Sequence, residues 1–380
     1  MYLQMHKVNA NGKCIEQSVS QHIQMKEVCP KMNNHKPLNI LITSAGRRTY
    51  LVEYFKEALE GCGTVHVSNS TDLSPTFRVA DHAVVTPLIY DPDYIPFLLD
   101  YCKKHDIDAL LSVFDVDLPV LAKHKDAFAK ENVKIIVSDP SVIEICNDKV
   151  RTFQFLLEHG FYTPMTYTDL DEAKNAIASG ELKFPLIIKP RWGMGSIGVY
   201  EAEDEDELDV FYKRTRRDIA STYLRYESDA APERNTLIQE KIVGGQYCLD
   251  VINDFDAQCV AVIVKKKTAM RVGEAYAAMT VDYPLLKEEG ERLGRTLAHI
   301  GNLDVDIILQ DGNPYFLEMN ARFGGAYPFS HLAGVNLPKV IVQWLRREPH
   351  DPSLLIAEPN IVSFHDILPV IIESEDAKKA

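Results

Sequence analysis

Two carboxylates and an amide near the C-terminal end of the chain form a chemically informative pattern. Asp306 lies in one predicted strand, and Glu318 and Asn320 lie two residues apart on one face of the next. The short turn DGNP between the strands brings these side chains close to Asp306. Their oxygens are the hard ligands that Mg²⁺ prefers, along with water and phosphate. The spacing predicts a magnesium site; a polar, solvent-facing side of the strand pair is the alternative.

Two cationic residues fit the same chemistry. Arg322 continues the face of Glu318 and Asn320, and an arginine beside a metal ion neutralises phosphate charge. Lys149 lies in the first turn of a predicted helix, where its charge opposes the helix dipole unless an anion is nearby. An exposed lysine is the alternative for this position.

The sequence FPLIIKPRWGMGSIGVY predicts a second element that contacts phosphate. Lys189 ends a buried type of strand, and Gly193 and Gly195 allow backbone amides to approach an anion closely. Ser196 adds a hydroxyl group. The lysine precedes the glycines, which is the reverse of the order in a P-loop. An ordinary turn remains the alternative interpretation.

A strand-to-strand hinge is predicted where QEKI is followed by VGGQYCLD. Glu240 and Lys241 end one strand, and Ile242 follows them at the hinge. Backbone groups at such a hinge can bond the edge of a flat base that packs beside Ile242. A plain turn between two strands is again the alternative.

The order of predicted elements indicates an α/β protein. Four strands, within LNILIT, GTVHVSNS, IDALLSVF and VKIIVSD, alternate with helices, which predicts a parallel sheet covered by helices. The segment ADHAVVTP lies between the second strand and the next helix. After the helix NDKVRTFQFLLEHG, which Asn147 or Asp148 can cap, several strands follow with only one charged helical segment, 204–226, among them. That arrangement predicts antiparallel sheets.

Length and charge narrow the function classes. The 380 residues are too many for one core and predict two or three subdomains. A net charge of −14 disfavours general binding to nucleic acid or to anionic membranes. The sequence has no apolar run of about 20 residues and no signal-peptide core. Seven scattered cysteines, without a CxxC pair, indicate reduced thiols in a cytoplasmic protein.

Taken in order, five segments resemble the ATP-grasp superfamily, and within it the branch of the carbamoyl phosphate synthase large subunit. They are NDKVRTFQFLLEHGFYTP, FPLIIKPRWGMGSIGV, LIQEKIVGGQYCLDV, RVGEAYAAMT and DVDIILQDGNPYFLEMNARFGG. The resemblance covers about residues 147–335, and LNILITSAGRR resembles the α/β domain that precedes them. It implies a Rossmann-like parallel α/β domain, followed by an ATP-grasp fold with ATP between two antiparallel sheets. The expected divisions are a poorly ordered N-terminal extension (1–36), the α/β domain (37–146), a helix and lid subdomain (147–245), a C-terminal subdomain with the metal site (246–365) and a tail (366–380). A start at Met25 or Met32 is a further hypothesis, under which part of the extension would not belong to the natural protein.

The resemblance also implies roles for single residues. Those matching ATP contacts are Lys149 and Lys189 at the phosphates, Gly195 and Ser196 in a flexible loop, and Glu240, Lys241 and Ile242 at the adenine edge. Those matching magnesium ligands are Asp306, Glu318 and Asn320. Arg322 matches an arginine that steadies the transferred phosphoryl group, and Arg271 matches a basic residue near the phosphates. Gln246 stands where family members often carry a glutamate for the ribose, with Asp250 as a weaker alternative.

The resemblance implies the activity of a stand-alone ligase. ATP, with Mg²⁺ or Mn²⁺, would activate a small-molecule carboxylate as an acyl phosphate, which an amine then attacks. The protein needs no nucleophile of its own for this chemistry. A nucleotide-binding module without ligase activity and a grasp-fold kinase are the alternatives. A homodimer is expected by analogy.

Candidate substrate residues lie in two places. Ser44, Arg47 and Arg48 follow the first strand, where open α/β sheets bind ligands, although the arginines could equally be surface charges. Tyr327 and His331 lie just beyond the metal strand and could border the acceptor pocket.

Two further carboxylates end the third strand. Asp115 or Asp117 could recognise a substrate amine, but helix N-capping is the favoured role for Asp117. The run Lys265–Lys267 is interpreted as a solvated strand end.

Overall fold

The computed structural model describes residues 36–229, 231–271 and 273–371. The predicted N-terminal extension, apart from Lys36, and the tail beyond residue 371 therefore lie outside the described residues. Within the described ranges, no helix combines the length and the apolar character that a bilayer crossing requires.

The first sheet has five parallel strands in the order β3-β2-β1-β4-β5. Their bounds are β1 Leu38–Thr43, β2 Gly63–Asn69, β3 His82–Val85, β4 Ala109–Ser112 and β5 Lys134–Ile135. The helices of this part are α1 Thr49–Leu59, α2 Tyr94–Lys104, α3 Leu118–Lys123, α4 Lys125–Lys130 and α5 Pro140–Asn147. The predicted parallel α/β arrangement is confirmed. Strand β3 was missed because it is a short edge strand with exposed residues on both faces, so it lacks the apolar pattern of a buried strand.

The helix α6 Lys149–Glu158 links this sheet to the rest of the chain. Its N-cap is Asp148, whose side chain accepts a hydrogen bond from the backbone N–H of Val150 at 3.0 Å. The same carboxylate accepts two hydrogen bonds from Arg191, at 2.7 and 2.6 Å, and so joins α6 to the glycine loop. Of the two predicted caps, the structure selects Asp148.

The second sheet has four strands in the order β6-β9-β7-β8, and all its pairs are antiparallel. The strands are β6 Thr166–Tyr167, β7 Leu186–Pro190, β8 Tyr200–Ala202 and β9 Thr236–Glu240. The helices around it are α7 Leu170–Ser179, α8 Glu205–Ser221 and α9 Arg225–Ser228. A hydrophobic cluster of its own, including Leu186, Ile188, Leu208 and Ile238, holds this sheet against its helices.

The third sheet is antiparallel and has six strands in the order β14-β13-β10-β11-β12-β15. Its strands are β10 Gly245–Asn253, β11 Cys259–Arg271, β12 Glu274–Thr280, β13 Gly301–Gln310, β14 Asn313–Asn320 and β15 Val362–Phe364. The last helices are α10 Pro284–Leu297, α11 Tyr327–Leu332 and α12 Leu337–Leu345. The segment HLAGVNLPKVIVQWLRRE does not form one continuous helix, since Asn336 caps a new helix by accepting from the N–H of Lys339 at 3.1 Å.

The core joins the first sheet to the third. Leu41 and Leu110 belong to the same buried cluster as Leu249, Val251 and Phe316 of the third sheet. The second sheet contributes none of its strand residues to that cluster, among those that are described. Antiparallel sheets after a parallel α/β part confirm the predicted fold class, whereas the predicted domain bounds stay a prediction.

A candidate nucleotide and metal site between the antiparallel sheets

The β13–β14 hairpin brings the predicted metal ligands together. Asp306 pairs directly with Glu318, and Asn320 pairs with Asp304 in the same register. The turn forms at Asp311 and Gly312, both with positive φ, as tight hairpins require. Asp304 therefore belongs to this acidic face, although it was not among the metal ligands predicted from the sequence. Its position two residues before Asp306 was the available signal, because alternate residues of a strand share a face.

Lys267 reaches this acidic face from β11. Its ammonium group lies 2.7 Å from Asp306 Oδ1, and its side chain is only 8% exposed. The expectation that Lys265–Lys267 form a solvated strand end is wrong for two of the three lysines. Lys265 and Lys267 point inward, whereas Lys266 is exposed, because β11 lies inside the sheet and its residues alternate between faces.

Lys265 forms a separate, fully buried network behind the site. Its ammonium group is paired with Asp250, and both side chains are 0% exposed. Asp250 also accepts hydrogen bonds from Asn302 and Ser330. The alternative ribose role of Asp250 is therefore wrong, since a buried and fully paired carboxylate cannot reach a nucleotide.

Two lysines face the carboxylates from the other side of the cleft. Lys149 donates to the carbonyl of Gly193 at 2.7 Å, and its ammonium group is 3.8 Å from Glu318 Oε1. Lys189 lies at the end of β7, where burial, and then the charge of Lys149, lower its pKa to about 8. The charges of Glu318 and Asp306 act on Lys189 in the opposite direction, which shows that β7 and the β13–β14 hairpin approach each other.

The glycine loop after β7 lies against the third sheet. Gly195 and Ser196 have φ values of 71° and 57°, a left-handed conformation that glycine adopts most easily. A Cβ atom on Gly273, in the turn after β11, would lie 1.8 Å from Ser196 Oγ, and its φ of 76° is one that favours glycine. Arg271 ends β11 beside this turn and is exposed. The loop and this turn therefore meet at one side of the cleft.

The predicted adenine edge lies at the end of β9. Glu240 accepts a hydrogen bond from the backbone N–H of Met165 at 3.2 Å, and Lys241 is ion-paired with Glu201. Ile242 is 6% exposed, and Gln246 is exposed at the start of β10. The side chains of Glu240 and Lys241 are thus engaged within the protein, and the backbone N–H of Glu240 also donates to the carbonyl of Met165 at 2.9 Å.

Arg322 joins the first sheet to the third. Its guanidinium donates to Asp304 Oδ2 at 2.9 Å and to Asp115 Oδ2 at 3.0 Å, and its side chain is 7% exposed. Burial lowers its pKa, but the two carboxylates outweigh that and raise the pKa above the ordinary value. A Cβ atom on Gly324 would lie 2.3 Å from the carboxyl carbon of Asp304, so the turn after Arg322 must wrap closely around this pair.

Asp117 has a different role from the predicted helix cap. It stands at the N-cap position of α3, but its side chain makes no capping hydrogen bond. Its buried carboxylate instead accepts hydrogen bonds from four hydroxyl groups: Thr43 (2.5 Å), Ser44 (3.2 Å), Ser112 (2.7 Å) and Tyr94 (2.8 Å). The capping prediction is wrong because these hydroxyls, which come from other elements of the sheet, compete with the helix amides. Burial raises the pKa of Asp117 although the hydroxyl donors oppose it.

The predicted substrate residues fall into two groups. Arg48 donates to the backbone carbonyl of Phe323 and so approaches the turn after Arg322, whereas Arg47 is exposed. Ser44 lies in the same turn after β1, with a φ of 51°. These residues lie at the carboxyl end of the parallel sheet and close to the hairpin that carries the acidic face.

Tyr327 and His331 are not brought into the cleft. Tyr327 is fully buried, and its hydroxyl accepts from the backbone N–H of Leu337 at 3.0 Å. His331 stacks on Tyr54 of α1 with ring centroids 3.5 Å apart. Their expected place beside an acceptor pocket is corrected to a packing role between α11 and α1.

The residues present fit a magnesium ion and a polyphosphate. Burial, with the nearby Asp304, raises the pKa of Asp306, although Lys267 opposes this shift. A divalent cation at the acidic face would relieve that repulsion. In the described part of the chain no group of three or more His, Cys, Asp or Glu side chains is arranged as a metal site, and the predicted ligand set holds two carboxylates and one amide. Mg²⁺ takes few protein ligands and completes its shell with water and phosphate.

A parallel α/β part followed by two antiparallel sheets, with Lys149 of α6 and Lys189 of β7 facing carboxylates of the third sheet, defines a class of nucleotide-binding fold. Family comparison agrees with this class: the PylC-like N-terminal domain matches residues 40–136, and the ATP-grasp domain matches residues 146–326. Residues 146–326 therefore belong to the ATP-grasp superfamily.

Individual relatives are distant. The chain is 23% identical over 308 residues to the carbamoyl phosphate synthase large chain of Brucella suis biovar 1 (strain 1330), covering 74% of this chain but only 26% of that one. It thus spans about a quarter of the length of this curated relative. The L-amino acid ligase of Bacillus licheniformis has a similar structure, with a TM-score of 0.67 and 18% identity over 89% of this chain and 82% of that one. The biotin carboxylase domain of Hydrogenobacter thermophilus 2-oxoglutarate carboxylase, solved with MgADP, also has a TM-score of 0.67, with 18% identity, and the match covers 86% and 74% of the two chains.

Proposed function

We propose that this protein is an ATP- and Mg²⁺-dependent carboxylate–amine ligase that acts through an acyl phosphate and releases ADP and phosphate. The observation that carries the proposal is the placement of Lys149 and Lys189 opposite Asp306 and Glu318, with Arg322 beside them. Such an arrangement can hold a polyphosphate and its metal while leaving one end open to a second reactant. No protein nucleophile is required.

Each residue contributes by position and charge. When bound, ATP and Mg²⁺ supply an electrophilic phosphoryl group for the carboxylate. Lys189 and Lys149 would hold phosphate oxygens, and Asp306, Glu318 and Asn320 would hold the metal ion. Ser196 and Gly195, in the loop that meets the turn at Gly273, would cover the phosphates and exclude water. Arg322, fixed by two carboxylates, would offer its remaining N–H groups to the transferred phosphoryl group.

Three properties inferred from sequence remain part of this proposal. Mn²⁺ is expected to substitute for Mg²⁺, because both accept oxygen ligands. A homodimer is the expected oligomer, and the absence of a disulfide pattern in the sequence favours a cytoplasmic location.

A substrate screen tests the proposed activity. The similarity to an L-amino acid ligase makes pairs of L-amino acids the first compounds to try, as carboxylate and as amine donor. Phosphate release that requires both reactants, together with a new amide detected by mass spectrometry, is the expected result. A stable phosphorylated product would indicate a kinase instead. Absence of ATP turnover across a broad set of carboxylates and amines would support a nucleotide-binding module.

Lys189 is expected to make ATP binding dependent on pH. Its pKa of about 8 means that the charged form, which attracts phosphate, is lost as pH rises through 8. Lys189→Met should weaken ATP binding roughly 10- to 100-fold at pH 7, the cost of a charge-assisted hydrogen bond. Isothermal titration of ATP between pH 6.5 and 9.5 should show affinity falling at high pH in the wild type and a flatter profile in the variant.

The control for this titration is Lys183→Met, which alters an exposed lysine in the segment before β7. It should bind ATP as the wild type does. Unchanged affinity in Lys189→Met would remove this lysine from the phosphate site.

A further inference from the structure

Two carboxylates, Asp115 and Glu227, approach each other beside Arg322. Asp115 follows β4 of the first sheet and is 9% exposed, whereas Glu227 belongs to α9 beside the second sheet and is half-buried. The negative charge of Asp115 acts on Glu227 strongly enough to disfavour its ionised form. The two carboxylates therefore lie near each other, one after β4 and one on α9, and the space between them is called the recess below.

Aromatic contacts connect the two parts of the chain that carry Asp115 and Glu227. The rings of Phe114 and Tyr223, each close in sequence to one of the carboxylates, have centroids 6.3 Å apart. Tyr90, in the segment after β3, stacks on Tyr226 with centroids 4.8 Å apart. Ring contacts thus connect the α/β part that carries Asp115 to the helical segment that carries Glu227.

Both carboxylates have hydrogen-bonding capacity to spare. Asp115 Oδ2 accepts a hydrogen bond from Arg322, but Asp115 Oδ1 is buried and has no hydrogen-bond partner within the described ranges. The side chain of Glu227 has no hydrogen bond or ion pair of 4.0 Å or less with any residue that the structure describes. The hydroxyl of Ser228, next to Glu227, is also buried without a described partner. Buried polar groups without partners are rare and indicate a missing ligand or water.

We propose that Asp115 and Glu227 bind the ammonium group of the amine substrate and that Glu227 accepts its proton. This inference rests on the proposed ligase function and names the group that recognises its second substrate. An ammonium group carries three N–H donors and no acceptor, which matches a recess of unpaired acceptor oxygens. Arg322, which Asp115 holds in place, puts this recess beside the position proposed for the phosphoryl group.

The surroundings of Glu227 suit a proton acceptor at neutral pH. Burial, and then Asp115, raise the pKa of Glu227 to about 7, with a smaller contribution from Asp148 and an opposing one from Lys149. The other titratable groups around it are tyrosines: Tyr90, Tyr223 and Tyr226. A general base works best when its pKa lies near the operating pH.

The proposed step forms an amide bond and releases phosphate. The ammonium group gives one proton to Glu227, and the resulting amine nitrogen forms a bond to the carbonyl carbon of the acyl phosphate. The bond from that carbon to the phosphate oxygen breaks, and phosphate leaves with the electron pair. The second nitrogen proton goes to the departing phosphate, and Glu227 returns its proton to water. No oxidant or reductant is needed.

The test compares two nucleophiles in Glu227→Gln. One is the best amine from the L-amino-acid screen, which is charged at pH 7.5, and the other is hydroxylamine, which is neutral at that pH and traps the acyl phosphate as a hydroxamate. The kcat/KM for the amine should fall roughly 100-fold, the usual contribution of a general base. Hydroxamate formation from the same carboxylate should stay within about twofold of the wild type.

A matched control and a pH profile separate this role from a structural one. Glu233→Gln changes a glutamate whose side chain is 88% exposed and should leave both reactions unchanged. In the wild type, kcat/KM for the amine should decline below pH 7 as Glu227 becomes protonated, and this decline should be absent in Glu227→Gln. The thermal unfolding midpoint of the variant should not fall, since the substitution removes a repulsive charge.

Two results would overturn the inference while leaving the ligase intact: equal losses with both nucleophiles, or no loss with either. A different result concerns the proposed function itself. If the wild-type protein forms neither amide nor hydroxamate with any carboxylate of the screen, the ligase proposal fails, and the amine site fails with it.

Discussion

Replacing Glu318 with glutamine is expected to reduce Mg²⁺-dependent ATP turnover to below about 1% of the wild-type rate. The substitution keeps the size of the side chain but removes the charge that faces Asp306 across the hairpin and Lys149 across the cleft. Even outer-shell partners of a metal cost roughly 10- to 100-fold when lost, and a direct ligand should cost more. Turnover is measured by ADP formation over a range of Mg²⁺ concentrations, with any carboxylate that supports it.

The fold should survive this substitution. Glu318 is 29% exposed and lies beside other carboxylates, so its neutralisation relieves repulsion, while Lys149 loses an ion pair at 3.8 Å but keeps its hydrogen bond to the carbonyl of Gly193. The thermal unfolding midpoint should therefore be unchanged or slightly higher. Glu233→Gln, at an exposed position, serves again as the control for the chemical change. Wild-type turnover with an unaltered Mg²⁺ dependence would count against Glu318 as a metal ligand.

The largest effect on stability is expected for Arg322→Met. The side chains of Asp115 and Asp304, which are only 12% and 15% exposed, would both lose their shared counter-charge. Removing one partner of a buried ion pair costs about 3–5 kcal/mol, because the remaining charge is left uncompensated. For a protein of this size the unfolding midpoint should fall by roughly 5 °C. ATP turnover should be lost as well, since Arg322 is also proposed to contact the transferred phosphoryl group.

A second variant distinguishes charge imbalance from lost packing. Asp115→Asn and Asp304→Asn, added together to Arg322→Met, remove the orphaned charges and should restore a large part of the midpoint without restoring turnover. Arg214→Met, at a side chain that is 58% exposed, should have no measurable effect on stability. An Arg322→Met protein as stable as the wild type would show that the arginine does not bridge the two sheets in solution.

Patterns among neighbouring residues were sufficient to predict several features of the candidate site. Alternation within a strand places Glu318 and Asn320 on one face, and the two-residue turn at Asp311 and Gly312 sets their register against Asp306. Asp148 as a helix cap and the left-handed backbone at Gly195 follow from the preferences of single residues. These features depend on neighbours along the chain, and so they can be predicted from it.

Misinterpretations arose where the partner of a side chain is distant in sequence. Lys267 belongs to a run of three lysines, a pattern typical of solvated strand ends, yet it pairs with Asp306 because β11 lies within the sheet. Asp117 stands at a helix start, yet hydroxyls from β1 and α2 engage its carboxylate. Local preference was outweighed in both cases by groups that folding brings together.

The sequence by itself determined the class of this protein: a parallel α/β part, an ATP-grasp domain, and the lysines and carboxylates expected at a phosphate and metal site. Tertiary structure alone decided how those parts meet. Arg322 and Asp115 are separated by 207 positions, and the approach of Glu227 to Asp115 has no local signal at all. Charges buried together interact strongly because little water screens them, so their pairing depends on distance in space and on burial, which a linear pattern does not contain.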